Sequence, residues 1–227
     1  MTYVSAGIIN ASGIPPGAVA YYDYESGSGS TLVDQSGNGN DGTINGATWT
    51  TESQYGSYGL SFDGTDDYVD ISSAAGAVTD GDFTLGTWTY IPSGDSVNNP
   101  AAVSLGIPSN WTDDVVILRI GDEGGDDVAV YCDGTMVIGN QTLVDDDRWQ
   151  HFVVRRSGDT FDLFRDATLE VSNTQTVGTW TSTYAGIGAA NDGSTIQHYF
   201  GYQDETAIYD RALTDDEITD LYSKSSS

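Results

Sequence analysis

Residues 149–166 read WQHFVVRRSGDTFDLFRD and contain two runs of β-branched and aromatic residues separated by a polar turn. In the second run, Phe161 and Leu163 alternate with Asp162 and Phe164. This is the two-residue period of a β-strand, in which neighbouring side chains point to opposite faces. Both runs are therefore predicted to be strands, with Phe161 and Leu163 on one face.

Similar short runs recur along the chain between clusters of Gly, Asp, Asn and Ser, whereas helical periodicity is nearly absent before the C-terminal end. This pattern predicts an all-β fold, a two-sheet antiparallel sandwich of the jelly-roll type. The other predicted strands are 18–25, 67–71, 82–91, 114–120, 127–132 and 198–210.

The exception is residues 213–224, where Thr214 and Glu217 have the spacing of a capping box. The apolar residues of this segment fall on one helical face: Ile218, Leu221 and Tyr222. A short C-terminal helix is predicted, followed by a frayed end at residues 224–227.

The chain is strongly acidic: 34 acidic and seven basic residues among 227 give a formal charge of -27. This charge opposes binding to nucleic acid and to anionic membranes. The acids are spread through a sequence rich in Tyr, Trp and Val, so we expect a folded protein rather than a disordered one. Because such self-repulsion is screened within a few ångströms at roughly molar salt, we expect a halophilic protein that loosens when salt is removed.

One domain is predicted over residues 17–223, preceded by residues 1–16 as a flexible leader or as an arm that anchors the protein to another subunit. No Lys or Arg precedes Arg119, so the sequence shows no classical signal peptide, and no apolar run predicts membrane insertion. Cys132 is alone and is expected to pack as a small hydrophobe.

The segment 34–42, DQSGNGNDG, places several oxygen-bearing side chains on a glycine-rich loop. The oxygens of Asp34, Ser36, Asn38 and Asn40 follow the spacing of the first half of a helix-flanked calcium loop. The position of the closing glutamate is occupied by Asn45. A calcium site here therefore needs a carboxylate from elsewhere in the chain, or the similarity arose by chance.

Residues 201–213, GYQDETAIYDRAL, contain an acidic side chain that could complete such a site. Strand alternation places Asp204 on the same face as Thr206 and Ile208. A carboxylate on that apolar face is costly to bury unless a cation or several donors meet it. The alternative is an exposed Asp204 on a salt-adapted surface.

From about Gly17 to Tyr222, the chain resembles the LamG-like, concanavalin A-like jelly-roll domains of the laminin G type 3 group. Five segments carry the resemblance, in order: 17–50, 58–71, 82–91, 148–164 and 201–222. The resemblance implies a two-sheet jelly roll with one structural calcium. By position, Asp34 and Asp204 would supply carboxylates, and Gly37, Asn40 and Gly42 would supply further oxygens.

Two positions depart from the family pattern. Gln203 stands where the family usually has an aliphatic residue. Residues 165–168, RDAT, replace an Asn-Gly hairpin, so we expect a turn of another type that avoids a positive φ at Ala167.

Some relatives of this fold hydrolyse glycans with two carboxylates on one strand, but the sequence favours a binding module over an enzyme. It contains only six Glu and no Glu-x-Asp-x-Glu alternation, and the acidic segment 121–127 is broken by glycines. His151 is assigned to packing, and His198 has no visible partner. No catalytic residue is predicted, and glycoside hydrolysis is the less favoured alternative.

Trp111, Trp180 and Tyr184 lie in polar segments rich in Gly and Ser, where an aromatic side chain can stack on a sugar or cap a sheet edge. We therefore expect a calcium-stabilised module that binds surface glycans or glycoproteins. Its expected place is the cell exterior or the surface of a haloarchaeal virus, as a capsid, turret or tail-fibre protein. Homo-oligomers and contacts of the N-terminal arm with other virion or surface proteins are expected. A purely structural component of a virion or surface layer is the alternative.

Overall fold

The computed structural model describes residues 13–78, 81–93, 101–106, 116–120, 127–179, 183–191 and 196–224. Residues 1–12 of the predicted leader, Trp111, Trp180 and most of the acidic segment 121–127 lie outside the described residues.

The described residues form eighteen strands and two helices. The strands are β1 Ala20–Tyr22, β2 Thr31–Leu32, β3 Gly42–Asn45, β4 Thr48–Thr50, β5 Gly59–Asp63, β6 Tyr68–Asp70, β7 Phe83–Tyr90, β8 Ala101–Leu105, β9 Val116–Ile120, β10 Asp127–Cys132, β11 Thr135–Thr142, β12 Trp149–Ser157, β13 Thr160–Arg165, β14 Thr168–Thr174, β15 Ala185–Ile187, β16 Ala189–Asn191, β17 Ile196–His198 and β18 Phe200–Tyr209. The helices are α1 Ser72–Ala75 and α2 Asp215–Ser223.

Two antiparallel sheets of eight strands each form the predicted sandwich. Sheet A has the order β14-β13-β12-β7-β18-β5-β4, with β1 paired to β18. Sheet B has the order β11-β10-β9-β8-β15-β6-β3-β2, and β16 and β17 form a separate hairpin. The chain crosses repeatedly between the two sheets, so the all-β jelly-roll prediction is confirmed.

The main core lies between the sheets because strand alternation turns one face of each sheet inward. Phe161 and Leu163 of β13 point into this core, as their spacing predicts, together with Phe152 of β12 and Leu118 of β9. Cys132 is also buried there as a small apolar side chain, and burial raises the pKa of its thiol to about 12.

A second apolar cluster covers the outer face of sheet A. It is formed by α2, the start of the described chain and the outward side chains of β1, β12, β13 and β18. Helix α2 begins with the predicted capping box, in which Thr214 Oγ1 accepts from Glu217 N. The members of the cluster are Ile14, Ala18, Tyr21, Val153, Phe164, Ala207, Tyr209, Leu213, Ile218 and Leu221.

Both ends of the described chain are more ordered than the sequence suggests. Ile14 is buried in the second cluster, and Tyr209 Oη donates to Pro15 O at 2.9 Å, so this part of the expected leader packs on the domain. At the other end, Lys224 forms an ion pair with Glu205. Residue 224 therefore does not belong to a frayed end, because a buried carboxylate holds it.

The turn between β13 and β14 differs from the expectation. Asp166 and Ala167 both have a positive φ, of 50° and 60°. This is the conformation of a type I′ hairpin, and it places Ala167 in the left-handed region that was expected to be avoided. Asp166 favours the turn because its carboxylate accepts from His151 N at 2.9 Å and from Arg148 Nη1 at 3.1 Å.

The last strand contains a bulge that reverses one prediction about side-chain direction. The register of β18 against β7 shifts between Asp204 and Ala207, and Glu205 has a φ of 49°. An extra residue at a bulge breaks the alternation of faces. Ile208 consequently points into the main core, whereas Asp204 lies on the opposite face of sheet A, near Tyr55.

Candidate functional site

The loop between β2 and β3 is organised by the carboxylate of Asp34. Its Oδ1 accepts from Tyr21 N at 3.0 Å and Ser36 N at 2.8 Å. Its Oδ2 accepts from Ser36 Oγ at 2.8 Å and Asn40 N at 2.9 Å. Burial disfavours the charged form, but these hydrogen bonds outweigh it and lower the pKa of Asp34. Asp34 therefore fixes the loop as an ionised acceptor.

The amide side chains of the same loop fasten it to the segment before β1. Asn38 Nδ2 donates to Ala18 O at 2.9 Å and Val19 O at 3.0 Å, and Asn40 Nδ2 donates to Val19 O at 2.8 Å. These bonds use the nitrogen atoms, so among the described residues the two Oδ1 atoms have no hydrogen-bond partner. Both oxygens remain available to a ligand.

The two predicted metal-site positions Gly37 and Gly42 are occupied by glycine for different structural reasons. Gly37 has a φ of 89°, which favours glycine in the turn. At Gly42, a Cβ would lie 2.8 Å from Val69 Cγ1, so close packing against β6 explains its lack of a side chain.

A cavity of about 520 Å³ opens beside this loop. Four of the residues that line it have polar side chains, Ser36, Asn38, Asn40 and Asp210, and the others are Gly17, Ala18, Val19 and Ala77. The residues that line the cavity therefore carry amide, carboxylate and hydroxyl groups. These are groups that can bind sugar hydroxyls or a cation.

Asp204 lies in a second network. Its Oδ2 accepts from Gln54 N and Tyr55 N, both at 2.9 Å, and its Oδ1 accepts from Glu205 N at 2.9 Å. Burial, followed by the charge of Glu205, raises the pKa of Asp204 to about 8 despite these hydrogen bonds. The charged form of Asp204 is therefore poorly compensated.

Glu205 extends the second network toward the end of α2. Its carboxylate accepts from Tyr21 Oη and Lys224 Nζ. Burial raises the pKa of Glu205 to about 7, although Lys224 and Tyr21 favour the charged form. Lys224, the only lysine of the chain, therefore partly compensates the negative charge of the second network.

The structure brings Asp34, Gly37, Asn40 and Gly42 together in one loop and places Asp204 in a separate hydrogen-bond network. Strand β1 lies between the two networks, since Tyr22 pairs with Thr206 of β18 and forms an isolated bridge with Asp34. Calcium is bound by about six to eight oxygen atoms. Both networks offer oxygen donors of this kind, one through free amide oxygens and the other through a poorly compensated carboxylate.

The expected aromatic platform is described only in part. Tyr184 precedes β15 and is half-buried, and burial raises its pKa to about 12. Its carbonyl accepts from Gly106 N at 2.6 Å. Trp111 and Trp180 lie outside the described residues, so the three side chains are not brought together by any described contact.

Both histidines of the chain make contacts within the fold. His151 is buried and stacks on Trp88, with ring centroids 5.1 Å apart, and burial lowers its pKa to about 3. His198, for which the sequence shows no partner, has its Nδ1 3.2 Å from Asp67 O. That partner is distant in the sequence, so no local pattern could reveal it.

Sequence inspection also missed an acidic group at the end of β5. Within the described residues, Asp63, Asp66 and Asp67 bring carboxylate oxygens within 4.8 Å of one another. Asp63 Oδ1 accepts from Thr65 N at 2.8 Å, and Asp67 Oδ2 accepts from Asp63 N at 2.9 Å. These local bonds explain the group as part of a polar turn.

A family model described as the concanavalin A-like lectin/glucanases superfamily (Laminin_G_3) matches residues 63–219, which is more than half of the chain. A search of curated protein sequences gave no significant match. Within the described residues, no helix has the length and apolar character needed to cross a membrane.

Among solved structures, the chain is similar to domain 4 of AbnA, a GH43 extracellular arabinanase from Geobacillus stearothermophilus, in complex with arabinotriose. The TM-score is 0.69 at 16% identity, covering 91% of this chain and 98% of that chain. Trypanosoma rangeli sialidase in complex with 2,3-difluorosialic acid has a TM-score of 0.68 at 16% identity, covering 92% of this chain and 33% of the sialidase chain. The receptor-binding domain of botulinum neurotoxin type G has a TM-score of 0.65 at 14% identity, covering 91% of this chain and 51% of the toxin chain. The chain thus spans a third of the sialidase and about half of the toxin domain.

Proposed function

Since the chain belongs to the concanavalin A-like lectin/glucanases superfamily, we propose that it is a non-enzymatic recognition module that binds surface glycans. The observation that carries this proposal is the cavity lined by Asn38, Asn40 and Asp210, in which both asparagines bond the backbone through Nδ2 and keep an Oδ1 without a partner among the described residues. Such acceptors bind sugar hydroxyl groups without any requirement for a reactive group. The similarity to an arabinotriose-bound domain and to a receptor-binding domain supports the same proposal of a recognition module.

A glycan array probed in multimolar salt tests the proposal, with binding to at least one glycan as the expected result. Asp210→Asn should weaken that binding because the cavity loses a charged acceptor. Glu52→Gln is the matched control, because it removes one exposed carboxylate outside the lining of the cavity. An array without any bound glycan would contradict glycan recognition, whereas equal binding by the two variants would contradict the cavity as its site.

Trp111, Trp180 and Tyr184 are proposed to extend the binding surface by stacking on sugar rings. Because aromatic side chains also bury a large apolar area in packing, each of them is equally suited to capping a sheet edge. Replacing each residue by alanine and repeating the array distinguishes these roles. A stacking residue should change glycan affinity without a comparable loss of stability.

We further propose that calcium stabilises the domain, with Asp34, Gly37, Asn40, Gly42 and Asp204 as the residues involved. The poorly compensated charge of Asp204 supports a cation in the second network, and the free Oδ1 of Asn40 supports one beside the loop. Chelation should lower the melting temperature in high salt. Asp34→Asn and Asp204→Asn, measured separately, identify the network that holds the ion, because only the relevant variant should lose its response to chelator. A melting temperature unaffected by chelator would contradict the calcium proposal.

The absence of catalysis is part of the proposal, because this superfamily includes both lectins and glucanases. Support comes from the described carboxylates, since the adjacent pair Asp204 and Glu205 is engaged by backbone amides, Tyr21 and Lys224. No increase in reducing sugar is expected when the protein is incubated with any glycan that it binds. Release of sugar would favour the alternative, a glycoside hydrolase.

The proposed location is the exterior of a cell or of a virus particle from a high-salt environment, with residues 1–12 contacting other surface or virion proteins. The acidic surface supports the high-salt setting. Labelling intact particles and cells with an antibody against the domain tests this location. A homo-oligomer that assembles without binding any glycan would favour the alternative, a purely structural surface component.

A further inference from the structure

Two long edge strands lie on the same side of the sandwich. Strand β14 ends sheet A with seven residues and β11 ends sheet B with eight. Asn173 Nδ2 of β14 donates to Val137 O of β11 at 2.7 Å, which joins the two strands across the sandwich. The opposite ends of the sheets are formed by β4, with three residues, and β2, with two. We call the side formed by β11 and β14 the long edge.

The long edge carries almost no charge in a chain where charged residues make up 18%. No charged residue occurs from Gly134 to Val144, and Glu170 is the only one from Ala167 to Asn191. Glu170 is itself paired with Arg165, at 3.2 Å between Oε1 and Nε. Proteins usually protect an open strand edge with charged side chains or proline, and β14 has neither protection beyond this one paired residue.

The long edge also exposes apolar side chains. Leu169 on β14 is 48% exposed and Met136 on β11 is 44% exposed, and they are two of the four large hydrophobic residues exposed in the described part of the chain. Apart from Glu170, the other exposed residues of β14 are neutral: Thr168, Ser172, Asn173 and Thr174. Within the described residues, β14 therefore combines a backbone edge that no further strand covers with a nearly uncharged, partly apolar border.

We propose that the long edge is the surface through which two copies of this chain associate, with β14 pairing antiparallel to β14 of the second copy. The charge distribution favours a second copy as the occupant. Two molecules that each carry a charge of -27 repel one another over an acidic surface, and the long edge lets them approach without contact between like charges. A basic partner would instead be attracted to the acidic faces.

Antiparallel pairing of identical strands generates a two-fold axis and closes after two copies, so it yields a dimer rather than a filament. Sheet A of one copy would then continue into sheet A of the other. Leu169, which pairs with Phe164 on the outer face of sheet A, would lose solvent exposure beside the new ladder. This proposal does not depend on glycan or calcium binding.

Sedimentation velocity in multimolar potassium chloride, over a series of protein concentrations, tests the association. The native chain should sediment as a dimer, with twice the mass of one 24.1 kDa chain. The double variant Ser172→Glu, Thr174→Glu should sediment as a single chain with an unchanged melting temperature. The matched control Thr48→Glu, Thr51→Glu adds the same charge at the opposite edge of sheet A, where both residues are also exposed, and should remain dimeric.

A second variant separates local pairing from overall repulsion. Ser172→Lys, Thr174→Lys reduces the net charge, yet it should also prevent dimerisation because it places like charges on the two β14 strands opposite one another across the new ladder. A native chain that stays monomeric across the concentration series would overturn the proposal. A dimer that persists in both β14 variants, or that is lost equally in the β4 control, would also overturn it.

Discussion

Gln203 is the residue that departs most clearly from the pattern of its family. It is completely buried in β18, where its Nε2 donates across the core to Ala102 O at 3.2 Å and its Oε1 has no hydrogen-bond partner among the residues that the structure describes. A buried acceptor without a partner costs free energy. Ala102 O would keep a donor if Gln203 were replaced, because Gly188 N also donates to it at 2.8 Å.

Gln203→Leu should therefore raise the free energy of unfolding by about 1 kcal/mol, measured by chemical denaturation in high salt. Gln150→Leu is the matched control. Gln150 is also buried, but its Oε1 accepts from Asp145 N at 2.7 Å and its Nε2 donates to Leu143 O at 3.0 Å. This second substitution should destabilise the fold. The same sign of change in both variants would show that the missing hydrogen bond is not the cause.

Ala167 provides a second test at the level of single residues. Its φ of 60° is unfavourable for a residue with a Cβ. Ala167→Gly should raise the free energy of unfolding by about 0.5 to 1 kcal/mol, with part of the gain offset by loss of a methyl group that packs against the second cluster. Ala77→Gly, at an exposed position with a negative φ, should give no gain. Thermal and chemical unfolding of both variants measure the difference.

His151 makes stability depend on pH. Burial lowers its pKa from 6.5 to about 3, so the folded chain cannot take up the proton that the unfolded chain binds. Its contribution is present above pH 6.5 and is lost as the pH falls toward 3. Between pH 7 and 5, the native chain should lose about 2 kcal/mol more stability than His151→Phe.

Unfolding at both pH values, in the native chain and in His151→Phe, gives this difference. The comparison removes the contributions of Asp204 and Glu205, whose raised pKa values act in the opposite direction and favour the fold at low pH. Parallel pH profiles for the two proteins would contradict the role of His151.

At the level of elements, the sequence predicts structure well wherever local periodicity determines it. The predicted strands 149–156 and 160–166 correspond to β12 and β13, and the capping box marks the start of α2. The bulge in β18 could not be predicted from alternation, because it arises from pairing with β7. The loop at Asp34 is recognisable from the spacing of its own polar residues, whereas the network around Asp204 depends on contacts some 150 residues away in the sequence.

The end of α2 and the bulge of β18 stabilise one another. Tyr222 stacks on Trp88 with ring centroids 5.3 Å apart, Tyr55 Oη donates to Tyr222 O at 2.7 Å, and Lys224 pairs with Glu205. Lys224→Gln leaves the buried Glu205 without its cation and should lower the free energy of unfolding by about 2 kcal/mol.

The double variant Lys224→Gln, Glu205→Gln should recover part of this loss, because it removes both charges. A double-mutant cycle measured by chemical denaturation provides the coupling energy. Additive losses would show that the ion pair does not hold α2 against the bulge.

For the molecule as a whole, the distribution of charge sets the conditions for stability. Most basic residues form ion pairs, but seven cations leave most of the 34 acids without a basic partner. Repulsion among the remaining acids is screened when the Debye length falls to about 3 Å near 1 M salt. The melting temperature should therefore rise strongly between low and multimolar potassium chloride. A melting temperature independent of salt would contradict the halophilic interpretation.

The second apolar cluster brings both ends of the described chain to the outer face of sheet A. Ile14 packs in that cluster beside α2, and Lys224 at the end of α2 forms an ion pair with Glu205 on the same face. A tether attached at either end would hold the domain by this face and leave the outer face of sheet B turned away from the support. Attachment at residue 13 and attachment at residue 224 thus specify the same orientation, so a linker introduced at either position should present one and the same surface to a soluble ligand.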